Sequence, residues 1–351
     1  MSVVSLFSLS DSEQALLLQG QHSHGLMLLS VVIAVLASGF AFQLASLVRV
    51  AGTTWMRRSA LLSGSLTLGG GIWAMHFIGM LAFELPVPVY YDPLITSLSM
   101  LPAVLASWIV LRLLSQQQIS LREIVIGGVL MGVGIGAMHY SGMLALRSSA
   151  QLKFDPLWFL LSLLVALGMS MLALWLRFGL KQRFGLSHLL TVTLGGIGMG
   201  LAIASMHYTG MAAVRFIGSD SLPVPASVPD RTVLALAIAM LMLALGLVVG
   251  VINGILRYRY LLGKMQASEN RLRAMVDTAV DGIITINAQG LIESFNHSAE
   301  RLFGWSASEV IGRNIRMLMP EPYSSGHDQY LQNYLSTGQA RIIGTGREVT
   351  A

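Results

Sequence analysis

The sequence predicts an all-α domain of seven transmembrane helices, followed by a small α+β domain that stops before its last strands. Of 351 residues, 54% are hydrophobic and 11% charged, with a mean hydropathy of +0.68. A soluble domain carries about a quarter charged residues, so this balance belongs to a membrane protein. Seven apolar segments are each free of Asp, Glu, Lys and Arg. From Arg257 the composition turns mixed polar, and apolar residues begin to alternate with polar ones after Asp281.

A helix needs roughly 20 apolar residues to cross the hydrocarbon layer. The segments that qualify are 25–48, 59–83, 94–111, 124–146, 157–176, 189–214 and 232–256. The third is short and contains Pro102. Basic residues gather in alternate loops: Arg49, Arg57 and Arg58; Arg112 and Arg122; Arg177, Lys181 and Arg183; Arg257, Arg259 and Lys264. The opposite loops hold only Arg147, Lys153, Arg215 and Arg231. The positive-inside rule then predicts a multi-pass protein of the cell inner membrane, with a periplasmic N-terminus and a cytoplasmic C-terminus. The first 24 residues have no basic n-region, so no cleavable signal peptide is expected. Absence of cysteine excludes disulfides and thiolate metal sites. The net charge of +5 is dispersed, with no dense basic run, which excludes nucleic acid as a partner.

One motif occurs three times, as Met75-His76-Phe77-Ile78-Gly79-Met80, Met138-His139-Tyr140-Ser141-Gly142-Met143 and Met206-His207-Tyr208-Thr209-Gly210-Met211. The copies lie in spans two, four and six, 63 and then 68 residues apart, so the repeating unit is about two helices. All three run toward the same face of the membrane, which places the histidines in its outer half. His76 with Met80, His139 with Met143 and His207 with Met211 are i, i+4 pairs on one helix face. Imidazole with thioether, and no carboxylate or thiolate, is a donor set for copper(I), which in turn binds O2, CO or NO. Met75, Met138 and Met206 are further candidate ligands. A haem held between two of the histidines would use the same donors. The plain alternative makes the histidines packing residues and the methionines apolar filler; ionisable groups inside spans favour function. His22 and His24 precede span one and could assist a metal, while His188 opens span six and reads as structural.

These copies closely resemble the MHYT sensor domain, over residues 22–256. Met206-His207-Tyr208-Thr209 carries that motif in full; Phe77, Ile78 and Ser141 depart from it. The resemblance implies sensing of a diatomic gas through protein-bound copper, ahead of a cyclic-di-GMP enzyme or a kinase. Phe77 lacks a phenol, which argues against a strict role for all three aromatic hydroxyls.

Beyond span seven, Leu261, Met265, Ser268, Leu272 and Met275 recur as an a/d seam of about two heptads, suited to a dimeric signalling helix. The run 281–290 followed by 291–295 reads as a β-hairpin. Short helical pieces around Asn296–Trp305 follow, in an order that looks like the start of a PAS domain. The stretch Met319 to Arg347, with His327-Asp328-Gln329-Tyr330, strongly resembles the haem PAS domain of FixL-type oxygen sensors. The resemblance implies His327 as proximal haem ligand, Arg347 as the distal arginine and Ile342 as a distal apolar contact. Asn333 stands where the family has an arginine near a haem propionate, and Thr345 where it has an apolar contact.

The expected organisation is an extracytoplasmic N-terminus (1–24), a seven-helix sensor domain (25–256), a signalling-helix linker (257–275) and a partial PAS domain (276–351). No catalytic constellation is present, so the chain reads as non-enzymatic input. The expected output is a downstream diguanylate cyclase/phosphodiesterase or histidine kinase, and the expected assembly a homodimer. Two readings compete: a gas or copper sensor in the membrane, or a haem-PAS oxygen sensor with the membrane domain as anchor. Transport is a weaker third, since no carboxylate lies within a span.

Overall fold

Seven helices long and apolar enough to cross a membrane are found among the described residues. This computed structural model describes residues 6–7, 11–50, 52–116, 119–218 and 230–338. The helices are His24–Val50, Thr54–Leu81, Pro93–Leu98 with Met100–Leu113, Leu121–Met143, Pro156–Leu174, His188–Ala213 and Arg231–Asp277. The break in span three falls at Ser99, beside the carbonyl four residues before Pro102, where the proline ring clashes and gives no N–H in return. Near the break the Thr96 carbonyl accepts from Trp73 Nε1 at 2.8 Å and from Ser99 Oγ at 2.7 Å. Span five runs past its expected end at residue 176, through a π-turn at Trp175–Gly179 to Phe184, and stops at Gly185 with φ +63°.

Spans one to six close into a ring, each packed on the next and span six returning to span one. Spans two, four and six also approach one another inside it. Small residues permit this. A Cβ on Gly69, Gly132 or Gly200 would run into the neighbouring span at Val104, Leu167 or Val35 respectively. Span seven lies outside the ring, with Ala235 and Ala239 against Ile33, Ala74, Ile78 and Leu81. Asn253 Nδ2 donates to Ser63 Oγ at 3.3 Å and to the Val249 carbonyl at 2.9 Å, which satisfies that amide inside an apolar helix.

Sequence reasoning ran spans two, four and six on to residues 83, 146 and 214. The helices end at Leu81, Met143 and Ala213, because the next residues pair as strands. β1 (Gln21–His22) pairs with β2 (Phe83–Glu84), β3 (Val89–Tyr91) with β4 (Leu146–Ser148), and β5 (Gln151–Phe154) with β6 (Val214–Ile217), all antiparallel. Each pair joins the residues before an odd span to those after the following even span. The unit repeated three times is therefore strand–helix–helix–strand. Asp92 and Asp155 act twice in their units. Each caps the helix that begins at the next proline, and each pairs with an arginine on the partner strand, Arg147 at 3.7 Å and Arg215 at 3.2 Å.

The chain divides into two units, 1–257 and 258–351. The helix Arg231–Asp277 is unbroken where a linker was expected to begin at residue 257, and Leu261, Met265, Leu272 and Met275 are exposed on it. In the second unit β7 (Ile284–Ile286) and β8 (Ile292–Phe295) form the expected hairpin, turning at Gly290 with φ +77°. Ile292, Phe295, Ala299, Val310, Ile315 and Leu318 make its core. The 3₁₀ turn Ile315–Leu318 and the helix Tyr323–Thr337 follow. Buried Asn296 ties the hairpin to the end of the long helix. Its Nδ2 donates to the Val276 and Asp281 carbonyls, and its Oδ1 accepts from the Ile283 and Ala299 amides. Asn296→Ala leaves the buried Ala299 amide and the half-buried Ile283 amide unmet, so this unit should lose about 2–3 kcal/mol, read as earlier loss of its amide protection in hydrogen exchange.

Candidate metal centre

The three motif histidines meet at one point. His76, His139 and His207 are 1%, 1% and 2% exposed, about two helical turns from the strand-bearing end of the ring. Their Nδ1 atoms form a triangle with edges of 3.0 Å (His139 to His76), 3.2 Å (His76 to His207) and 3.3 Å (His207 to His139). The rings stand nearly perpendicular to one another, with centroids 4.9–5.2 Å apart.

Hydrogen bonding alone does not satisfy this arrangement. A neutral imidazole nitrogen is either a donor or an acceptor. Of three mutually facing nitrogens two must be alike, so at least one edge sets like against like. Three lone pairs converging on a cation remove the conflict. Nitrogens held at about 2.0–2.1 Å from one ion at three corners of a tetrahedron lie about 3.3–3.4 Å apart. The observed edges are close to that spacing, and the fourth corner belongs to none of the three rings. The donor set therefore fits a metal.

What aims the rings is the rest of the motif. Each Nε2 abuts the glycine of another copy: His76 on Gly142, His139 on Gly210, His207 on Gly79. A Cβ at any of these glycines would overlap the imidazole. Each motif aromatic stands edge-on to its own histidine, at 4.8 Å and 78–81° in all three copies. The phenols turn away, Tyr140 to Ser162 Oγ at 2.6 Å and Tyr208 to Ser30 Oγ at 2.9 Å. The ring is thus the shared element and the hydroxyl an anchor to a neighbouring helix, which explains how Phe77 holds the same geometry.

The expectation of three separate His–Met pairs gives way to one convergence. Met75, Met138 and Met206 are buried in the main apolar cluster of the bundle. Met80, Met143 and Met211 join a second cluster with Leu85, Phe154, Val214 and Phe216, toward the strand-bearing end. The physical cause is the ring closure: even spans turn their histidines to the common axis, and methionines one residue before or one turn after fall into the apolar layers around it.

Above the imidazoles lies a second aromatic layer, missed in the sequence. His22, Tyr91 and Phe154 each end the strand before an odd span. Each meets a motif aromatic of another unit: His22 with Tyr208 at 6.1 Å, Tyr91 with Phe77 at 5.8 Å, Phe154 with Tyr140 at 5.5 Å. The recurrence of aromatic-Asp-Pro in Tyr91-Asp92-Pro93 and Phe154-Asp155-Pro156 was the available signal. Burial raises the Tyr91 phenol above its ordinary range. Burial, and then His24, lowers the His22 imidazole below its ordinary value. His24 begins span one, and His188 Nε2 lies 3.2 Å from Gln43 Oε1 at the far end of the ring.

In the second unit His327 sits on the helix Tyr323–Thr337, with its Nδ1 shielded from water, without a hydrogen-bond partner among the described residues, and 3.9 Å from Asp328 Oδ1. Asp328 accepts from Asn314 Nδ2 at 3.1 Å and pairs with Arg316 at 3.3 Å, fixing that helix to the preceding turn. Ile342 and Arg347, the expected distal pair, lie outside the described residues.

The family described as "MHYT: Bacterial signalling protein N terminal repeat" matches residues 69–127, 132–192 and 200–263, and the PAS fold matches 270–350. The bifunctional diguanylate cyclase/cyclic di-GMP phosphodiesterase MucR of Pseudomonas aeruginosa is 39% identical over 69% of this chain and 36% of its own length. The cyclic di-GMP phosphodiesterase NbdA of the same organism is 36% identical over 59% of this chain and 26% of its own. The sensor protein FixL of Bradyrhizobium diazoefficiens is 47% identical over 25% of this chain and 17% of its own. The chain thus spans about a third or less of each of these relatives.

Proposed function

Since this chain belongs to the MHYT family of bacterial signalling proteins, we propose that His76, His139 and His207 together hold one copper ion and present it to a diatomic gas. The observation that carries this reading is the triangle of Nδ1 atoms. Bound copper(I) supplies a soft centre with room for a further ligand, suited to O2, CO or NO. The chain's own residues do the rest. Gly79, Gly142 and Gly210 fix the imidazole directions, the motif aromatics stop the rings from turning, and the two methionine-bearing clusters keep water away.

The seven apolar helices support a multi-pass inner-membrane location, and the loop charges support a periplasmic strand-bearing end. A change at the imidazoles shifts spans two, four and six, and the helix Arg231–Asp277 carries the shift to the PAS fold. MucR and NbdA, named for cyclic-di-GMP chemistry, support an output of that class downstream, in a homodimer joined along the exposed Leu261–Met275 seam. On this reading, copper(I)-loaded protein exposed to CO gives one C–O stretching band in the infrared, absent from His76→Ala. A loaded protein with no band would rule out gas binding at the imidazoles.

A second reading is favoured by the FixL likeness and the orphaned His327 nitrogen. There the PAS fold holds haem through His327, with Ile342 and Arg347 on the distal side, and the membrane domain is an anchor. It requires a Soret band in the full-length protein that His327→Ala abolishes; protein purified after haem supplementation without that band excludes it.

A further inference from the structure

Three equivalent positions cover the imidazoles at the strand-bearing end, and they are not chemically equal. Tyr91 and Phe154 present no nitrogen. His22 presents an imidazole whose Nε2 is shielded from water and has no hydrogen-bond partner among the described residues. It lies tilted against Phe83, with ring centres 4.8 Å apart, and edge-on to Tyr208, whose ring in turn lies 4.8 Å from His207. Toward the opposite end of the bundle Leu68, Ile72, Met75, Met131, Ile135 and Met199 pack at 0–1% exposure.

We propose that His22 is the uptake ligand of the centre: it takes a soft or borderline cation from the outer solution and passes it along the edge of Tyr208 to His207. The proposal rests on the metal reading above. A hydrated ion cannot cross a layer of Phe, Met and Leu, because stripping its water without replacement costs far more than thermal energy supplies. Exchange of one water for the His22 imidazole at the lid divides that cost into steps. The transfer is ligand exchange alone, with no change in oxidation state. At the equivalent places Phe77 meets Tyr91 and Tyr140 meets Phe154, so those two thirds of the lid stay closed.

The test uses the whole chain in detergent, anaerobic, with copper(I) as the ion and a chromogenic chelator to time uptake and release. His22→Phe copies the residue found at position 154. It should slow both rates about tenfold or more while leaving equilibrium occupancy unchanged, the signature of a raised barrier. Adding Phe154→His to that variant should restore the rates from another third of the lid. Unchanged rates in His22→Phe overturn the proposal. So does lost equilibrium occupancy, which would make His22 a holding ligand. A double variant as slow as the single one also overturns it, because the slowing then comes from damage to the lid. If the wild-type chain takes up no copper at all, the metal reading fails first and this one with it.

Discussion

His76→Ala, His139→Ala and His207→Ala are each expected to lower copper(I) affinity by more than about 100-fold, beyond the 10–100-fold cost of losing an outer-shell partner. The three effects should be equal, because the triangle is nearly equilateral and every ring is equally buried. Three independent His–Met pairs would behave otherwise: each substitution would remove one ion and leave two. Truncation also opens a cavity beside the two remaining imidazoles, so some loss of stability should accompany the loss of metal, even though those two can now pair as donor and acceptor. Competition titration with a copper(I) chelator separates the outcomes, since a shared centre loses affinity and separate sites lose stoichiometry.

Gly142→Ala is expected to weaken the same centre from a position that offers no donor. The added Cβ overlaps the His76 imidazole at Nε2 and Cδ2. Overpacking of this kind costs about 1–3 kcal/mol, and the ring relieves it by rotating, which withdraws its Nδ1 from the triangle. Copper affinity should fall about 10–100-fold, in the range of other losses of ligand orientation, while circular dichroism stays helical. Gly79→Ala and Gly210→Ala should act alike through His207 and His139. Gly168→Ala is the control: nothing lies within 4 Å of its added Cβ, so affinity should be unchanged and the helix slightly favoured.

Much of this architecture is legible in the sequence, for identifiable reasons. Spans are read from runs of apolar residues, a local property, and the seven segments lie on the seven helices to within a few residues, apart from the extensions of spans five and seven. The hairpin at 284–295 is likewise local, since period-two alternation and a glycine turn announce it. What local pattern does not carry is the closing of the ring. The i, i+4 spacing of His207 and Met211 is a true statement about one helix, yet the nearest partners of His207 come from residues 76 and 139, brought there by the packing of even spans. Gly79 was visible as part of the motif, but its purpose was not, because the imidazole it receives belongs to another copy. The short strands after Leu81, Met143 and Ala213 escaped for a related reason. Two to four residues are too few to show alternation, and each pairs with a segment some 60 residues away. His22 and Phe154 reveal their equivalence only once the three units are superposed on one axis.

The most direct measurement is the number of metal ions held per chain, taken by native mass spectrometry of the purified membrane protein after loading with copper(I) and removal of excess. A single convergent centre predicts one ion per chain, absent from His207→Ala. Three ions per chain would restore separate His–Met sites, and none would leave the imidazole triangle as packing; either result contradicts the account.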